Sequence, residues 1–255
     1  MIRNPLFRAL VERELGNRFL GGALSPVWWL AQPLLTLGVY ALVFGLFMRS
    51  PVPARYGDSF VVYLAVGLWP WLAFAESVTR SSTSLTAQSA LITRTALPRA
   101  WVPLSVVLVT FTLHWLALSV IVLLFKALGY PVHLSGVLFS LPMWAALLAA
   151  AIGLGWMAAC AQVLVRDLEG MLGPLFMLLS FVCGIQYGLD SVPPAWRDVV
   201  LANPFTHVIA RLHDTYLAGT GLSWPDLWLL GGGLLLAALG YAFFRRVAPH
   251  VDDYL

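Results

Sequence analysis

The chain has 255 residues, 60% of them hydrophobic and only 11% charged, against about 25% charged in an average soluble domain. So few polar side chains cannot cover a globule of this size, which excludes an ordinary water-soluble domain. The net charge of +3 comes from fourteen arginines and one lysine scattered between apolar blocks, which argues against a nucleic-acid-binding surface.

The apolar blocks approach the roughly 20-residue length that spans a bilayer, and they are continuous rather than alternating. An all-α integral membrane fold is therefore predicted. It opens with Asn4–Leu20, where Pro5 suits a helix start, Leu6 and Leu10 share one face, and Arg8, Glu12, Arg13 and Arg18 occupy others. That pattern predicts an interfacial amphipathic helix, or else a flank that only sets topology. No cleavable signal peptide is expected, because the first apolar run follows this arginine-bearing segment and is too long for a signal core.

Six spans follow, at Val27–Met48, Phe60–Ser77, Val102–Phe125, Gly136–Val163, Met171–Leu189 and Leu227–Val247. Between the second and third, Thr79–Arg99 is rich in Ser and Thr, then helical through Leu85, Gln88, Leu91 and Ile92, and stops at Pro98. A helix there would present a protruding surface to a cytoplasmic partner. The connection Asp190–Asp226 predicts a short helix over Ala195–Ala202, a break at Asn203-Pro204, and a second helix ending at Gly219. Phe205, Val208, Ile209, Leu212 and Tyr216 line one face of the second, with His207, Arg211 and Asp214 on another. A re-entrant hairpin and a surface-lying loop both fit.

An even number of spans places both termini on one side. Ten arginines lie on that side and five basic residues on the other, so the positive-inside rule makes the termini cytoplasmic. Residues 1–255 read as a single transmembrane domain: a cytoplasmic interface helix at 1–26, a six-span core at 27–247 and a cytoplasmic tail at 248–255.

Catalytic motifs are missing. A phosphate-binding P-loop needs a lysine before Ser or Thr, and Lys126 is followed by Ala127. The cysteines, Cys160 and Cys183, lie in apolar blocks and read as small hydrophobes. His114 lies mid-span, where a neutral ring hydrogen-bonded to a neighbouring helix is expected, and Glu76 lies near the cytoplasmic end of its span. Trp29, Tyr40, Phe44 and Phe47 form a stripe along the first span, with Pro33 and Thr36 on it. Aromatic faces suit passing sugars, and they equally suit helix packing or an interface belt.

Three groups of residues resemble a known family, the membrane subunits of ABC-2-type exporters for polysaccharides and polyol phosphates. The first is Arg13-Glu14-Leu15, Arg18-Phe19, Gly21-Gly22, Trp28-Trp29, Pro33, Tyr40 and Val43-Phe44-Gly45. The second is Gly67-Leu68-Trp69-Pro70-Trp71 with Leu91-Ile92-Thr93-Arg94 and Leu97-Pro98-Arg99. The third is Asn203-Pro204-Phe205-Thr206-His207, after Val192-Pro193. Leu97, Ala100 and the Gln186-Tyr187-Gly188 turn depart from the family pattern.

The resemblance implies a homodimer in the bacterial cytoplasmic (inner) membrane, paired with two separate ABC-type ATPase subunits that hold ATP and Mg, with no cofactor or metal on this chain. It implies that Arg13, Glu14, Arg18, Leu91, Ile92, Arg94, Pro98 and Arg99 face the ATPase. It also implies an outer gate at Trp196, Asn203, Pro204, His207 and Arg211. Trp29, Tyr40, Phe44 and Phe47 become the expected translocation path. The expected cargo is a lipid-linked, O-antigen-like polysaccharide. Capsule, teichoic acid or another amphiphile is the alternative, and a membrane-embedded glycan- or lipid-modifying enzyme is a more distant one.

Overall fold

The computed structural model describes residues 4–19, 25–94 and 97–251, and every regular element among them is helical. Helix α1 (Pro5–Phe19) starts where the Asn4 carboxamide accepts the Leu6 N–H at 3.0 Å and Pro5 occupies the first helical position, where no donor is needed. Helix α2 (Ser25–Tyr40) runs directly into a π-helical turn, Ala41–Phe47, whose widened ladder returns Met48 N–H to the Val43 carbonyl at 2.8 Å.

Helix α3 (Phe60–Ser82) is the axis of the molecule. Val62 through Trp71 are buried almost without interruption, because α2, α6, α8, α9 and α11 surround it. Two short helices follow, α4 (Ser84–Ala87) and α5 (Ser89–Arg94), then the long α6 (Trp101–Ala127). The next run begins with one turn, α7 (Gly136–Phe139), and continues as α8 (Leu141–Leu164). Helices α9 (Leu168–Val182), α10 (Pro194–Ala202), α11 (Pro204–Leu217) and α12 (Trp224–Val251) complete the chain.

Among the described residues, four helices are long and apolar enough to cross a membrane: α3, α6, the run Gly136–Leu164, and α12 through Pro249. Two apolar helices are shorter, Ala31–Phe47 and Leu168–Val182. The helix expected over Met171–Leu189 ends early, at Val182. Gly184 takes a left-handed conformation (φ 69°), and Gln186 folds back, buried, to donate to Ser180 Oγ at 3.3 Å. Only glycine enters that region without a Cβ penalty, so the chain leaves the helix there.

Helices α8 and α12 form the most extensive contact in the molecule. Their backbones nearly touch: a Cβ added at Gly240 would strike the Gly153 carbonyl, and one added at Gly233 would strike that of Ala146. A second apolar cluster lies at the α1 end of the bundle. Leu10, Leu85, Ile92, Val102, Val163 and Phe244 meet there, so α4 and α5 are anchored on the bundle by their apolar side.

Candidate functional site

The α1 end carries a charge network that the sequence did not announce. Glu14 and Arg18 lie one turn apart on α1, and both side chains are almost fully buried, at 6% and 3% exposure. Arg18 donates to Glu76 of α3 at 2.7 Å and to Thr110 of α6 at 2.6 Å. Glu14 accepts from Arg80 at 2.5 Å, and His114 Nε2 donates to the other Glu76 oxygen at 2.7 Å. Two carboxylates, two guanidiniums and an imidazole thus bind α1 to α3 and α6. Burial lowers the basicity of Arg18, and the neighbouring Glu76 carboxylate opposes that effect.

The packed face of α1 is Phe7, Leu10, Glu14 and Arg18, not the expected Leu6–Leu10 face; Leu6 is exposed. Arg18, placed by its charge on the outer face, is turned inward because its partners come from distant helices. Glu14, Arg18 and Ile92 are buried, with Glu14 at the wall of the cleft between α1 and the 79–88 segment. Arg13, Arg94 and Pro98 are exposed, while Leu91 and Arg99 are half-buried and Arg99 donates to the Ala248 carbonyl at 3.3 Å. The two expected contact segments do come together, since Arg13, Asn17, Thr83 and Gln88 line one open cleft of about 310 Å³ with Glu169.

Along α2, Tyr40 and Phe44 stand edge to face with ring centroids 5.9 Å apart, and Phe181 of α9 lies 6.3 and 6.1 Å from them. Phe47 leaves the stripe and is 71% exposed, because the π turn advances each residue less far around the axis than an α turn does. Trp29 lies on α2, and its side chain falls outside the described residues. A larger aromatic group, missed by the sequence reading, joins Trp71 and Phe74 of α3 to Phe176 and Phe205, with Phe74 and Phe205 4.8 Å apart. The motif at 67–71 was its only signal.

At the other end, α10 and α11 form the predicted pair of helices. Asn203 caps α11 by accepting the Phe205 N–H at 3.0 Å, Pro204 follows at the first position, and His207 donates to the Leu201 carbonyl at 2.7 Å. Those three of the expected gate residues shape the turn itself, while Trp196 is exposed on α10. Arg211 is a clamp: it grips Asp226 of α12 with two bonds of 2.7 and 3.0 Å and reaches Asp214 at 3.5 Å. The bond to Asp226 raises its basicity further. Tyr56 donates to Asp214 at 2.8 Å, and its burial, with that bond, raises the phenol above its ordinary range.

His213 stacks on Tyr63 at 4.0 Å and donates to the Tyr63 carbonyl at 3.0 Å, with the ring buried. Burial pushes its pKa down to about 3. An imidazole in the unfolded chain titrates near 6.5, so the unfolded state binds the proton first as pH falls. Stability is thus full above about pH 6.5 and declines below it, by up to about 1.4 kcal/mol per pH unit. We expect the unfolding midpoint of detergent-solubilised protein to fall between about pH 7.5 and about pH 5.5, and His213→Gln to flatten that slope. Equal slopes in the two proteins would refute the assignment.

Residues 5–217 match the ABC-2 type transporter family. The chain is 29% identical over 253 residues to an O-antigen export system permease protein RfbA of Klebsiella pneumoniae, covering 98% of this chain and 95% of that one. A second protein of that name from the same organism is 27% identical over the same span. An O-antigen export system permease protein RfbA of Myxococcus xanthus is 29% identical over 206 residues, covering 80% of this chain and 77% of its own.

Proposed function

This chain belongs to the ABC-2 type transporter family, and we propose that it is the membrane permease of an exporter of lipid-linked, O-antigen-like polysaccharide. The observation that carries the reading is its similarity, over nearly its whole length, to permeases named for O-antigen export. Such a permease needs an energy source that the sequence does not encode. Two copies would pair with two ABC-type ATPase subunits, which hold the ATP and Mg.

In this reading the α1 end is cytoplasmic, both termini lie on that side, and the membrane is a bacterial inner membrane. Six segments cross it: the four long apolar helices, with α2 plus its π turn and α9 plus the residues after it as the shorter two. The cleft between α1 and the 79–88 segment, lined in part by Arg13, together with exposed Arg94 and Pro98, is the surface offered to the ATPase. Closure of the ATPases on ATP would push α4 and α5, which are anchored through Leu85 and Ile92, and rock the bundle. The Tyr40–Phe44–Phe181 group would line the passage, and α10 and α11 its outer mouth. The runner-up cargo is another amphiphile, such as capsule or teichoic acid.

The test is a gentle detergent pull-down of the tagged protein from native membranes. Stoichiometric co-elution of an ABC-type ATPase is the expected result. Intact, folded permease that elutes without one would remove the exporter reading.

A further inference from the structure

Between α2 and α3 lies an open cleft of about 320 Å³ whose walls include Gln32, Thr36, Glu76, Arg80 and His114. Glu76 and Arg80 turn 34% and 38% of their side chains into the open, although Glu76 belongs to an apolar helix long enough to cross a membrane. Glu76 lies near the cytoplasmic end of its span and Arg80 one turn further on, so an opening beside them is filled by water, polar headgroups or a polar guest rather than by lipid tails. The volume corresponds to about ten waters, enough for a sugar ring with water beside it.

The chemistry of the wall favours a polyol. Glu76 is already bound by Arg18 and Arg80 by Glu14, so neither charge is left without a counter-ion, and a phosphate would face the Glu76 carboxylate. A carboxylate, a guanidinium and a carboxamide together offer acceptors and donors side by side, as adjacent sugar hydroxyls require. Thr36 spends its hydroxyl proton on the Gln32 carbonyl at 3.1 Å and so presents lone pairs. Gln32 and Thr36 also line a neighbouring apolar hollow with Trp28, Leu35, Val39 and Tyr40. A guest held there would have one polar edge and one apolar face, which is the character of a pyranose ring.

We propose that Gln32, Thr36, Glu76 and Arg80 form a polar rung of the passage that binds sugar hydroxyls of the moving glycan. This rests on the exporter reading above. Because Glu76 also holds Arg18, the test is placed on α2, away from the buried network. Thr36→Cys in isolated membranes is expected to react with a charged, water-soluble methanethiosulfonate, while Leu34→Cys, exposed outside both hollows, does not. In cells, Gln32→Leu/Thr36→Val is expected to lower surface glycan at least about tenfold at normal permease level, a transition-state loss near 1.4 kcal/mol, and Thr36→Ser to export more than Thr36→Val. An unreactive Thr36→Cys, export by the double variant within twofold of wild type, or labelling slowed by excess inorganic phosphate would each overturn the proposal. Wild-type permease that exports no glycan would remove the exporter reading instead, while the labelling still reports on the cleft.

Discussion

Replacing Arg18 with alanine is expected to lower the unfolding midpoint of the detergent-solubilised protein by roughly 6–20 °C, from about 3–5 kcal/mol at about 2–4 °C per kcal/mol. The size of the effect comes from burial rather than from the attraction of one ion pair. With Arg18 gone, Glu76 loses its closest cationic partner, Thr110 loses a donor, and α1 loses its attachment to α3 and α6. Arg80 is only 4.0 Å from Glu76 and already bound to Glu14, so it replaces Arg18 poorly.

Two comparisons separate this mechanism from a general loss of charge. Arg8 pairs with Glu12 on the open face of the same helix, at 2.7 Å with both side chains mostly exposed. Exposed pairs contribute little, so Arg8→Ala should leave the midpoint unchanged. Limited proteolysis should also cut the Arg18→Ala protein near α1 faster than wild type. An Arg18→Ala protein that melts with the wild type would show the network to be dispensable.

Gly240→Leu is expected to abolish the folded protein, read as loss of the monodisperse peak in size-exclusion chromatography in detergent. Its first side-chain atom would collide with the Gly153 backbone carbonyl, not with a side chain that could swing away. Overpacking of a core ordinarily costs about 1–3 kcal/mol. Here the whole α8–α12 contact must open, and between apolar helices in lipid close packing is the main force of association. Gly232→Leu is the control, because nothing lies within 4 Å of the position its Cβ would take. A normal peak from Gly240→Leu would mean that the two helices do not pack backbone to backbone.

The two predictions differ in how far the sequence foreshadows them. Gly232, Gly233 and Gly240 are visible in the last apolar block, but nothing in the one-dimensional pattern says which of them faces α8. Likewise Arg18 shares its helix with Arg8 and Arg13, and although a helical wheel sets it on the side of Phe7 and Leu10, nothing in the one-dimensional pattern supplies the partners that let a guanidinium be buried there. The structure separates them, because Glu76 and Thr110, 58 and 92 residues further along the chain, meet only Arg18.

The sequence by itself determined what local chemistry and composition decide. Continuous apolar blocks predicted the positions of the long helices, Asn-Pro at 203–204 predicted the α10–α11 break, and the lysine content excluded a P-loop. Those are properties of neighbouring residues, set by backbone propensity and by transfer from water to an apolar phase. Only the tertiary structure decided the burial of Glu14 and Arg18 and the polar cleft beside Glu76. It also decided the departure of Phe47 from the aromatic stripe. Each of these depends on which distant atoms lie within a few ångströms, or on a local winding that the average helical period does not encode. A buried charge is stable only where its partners converge, and that convergence is a property of the packed bundle.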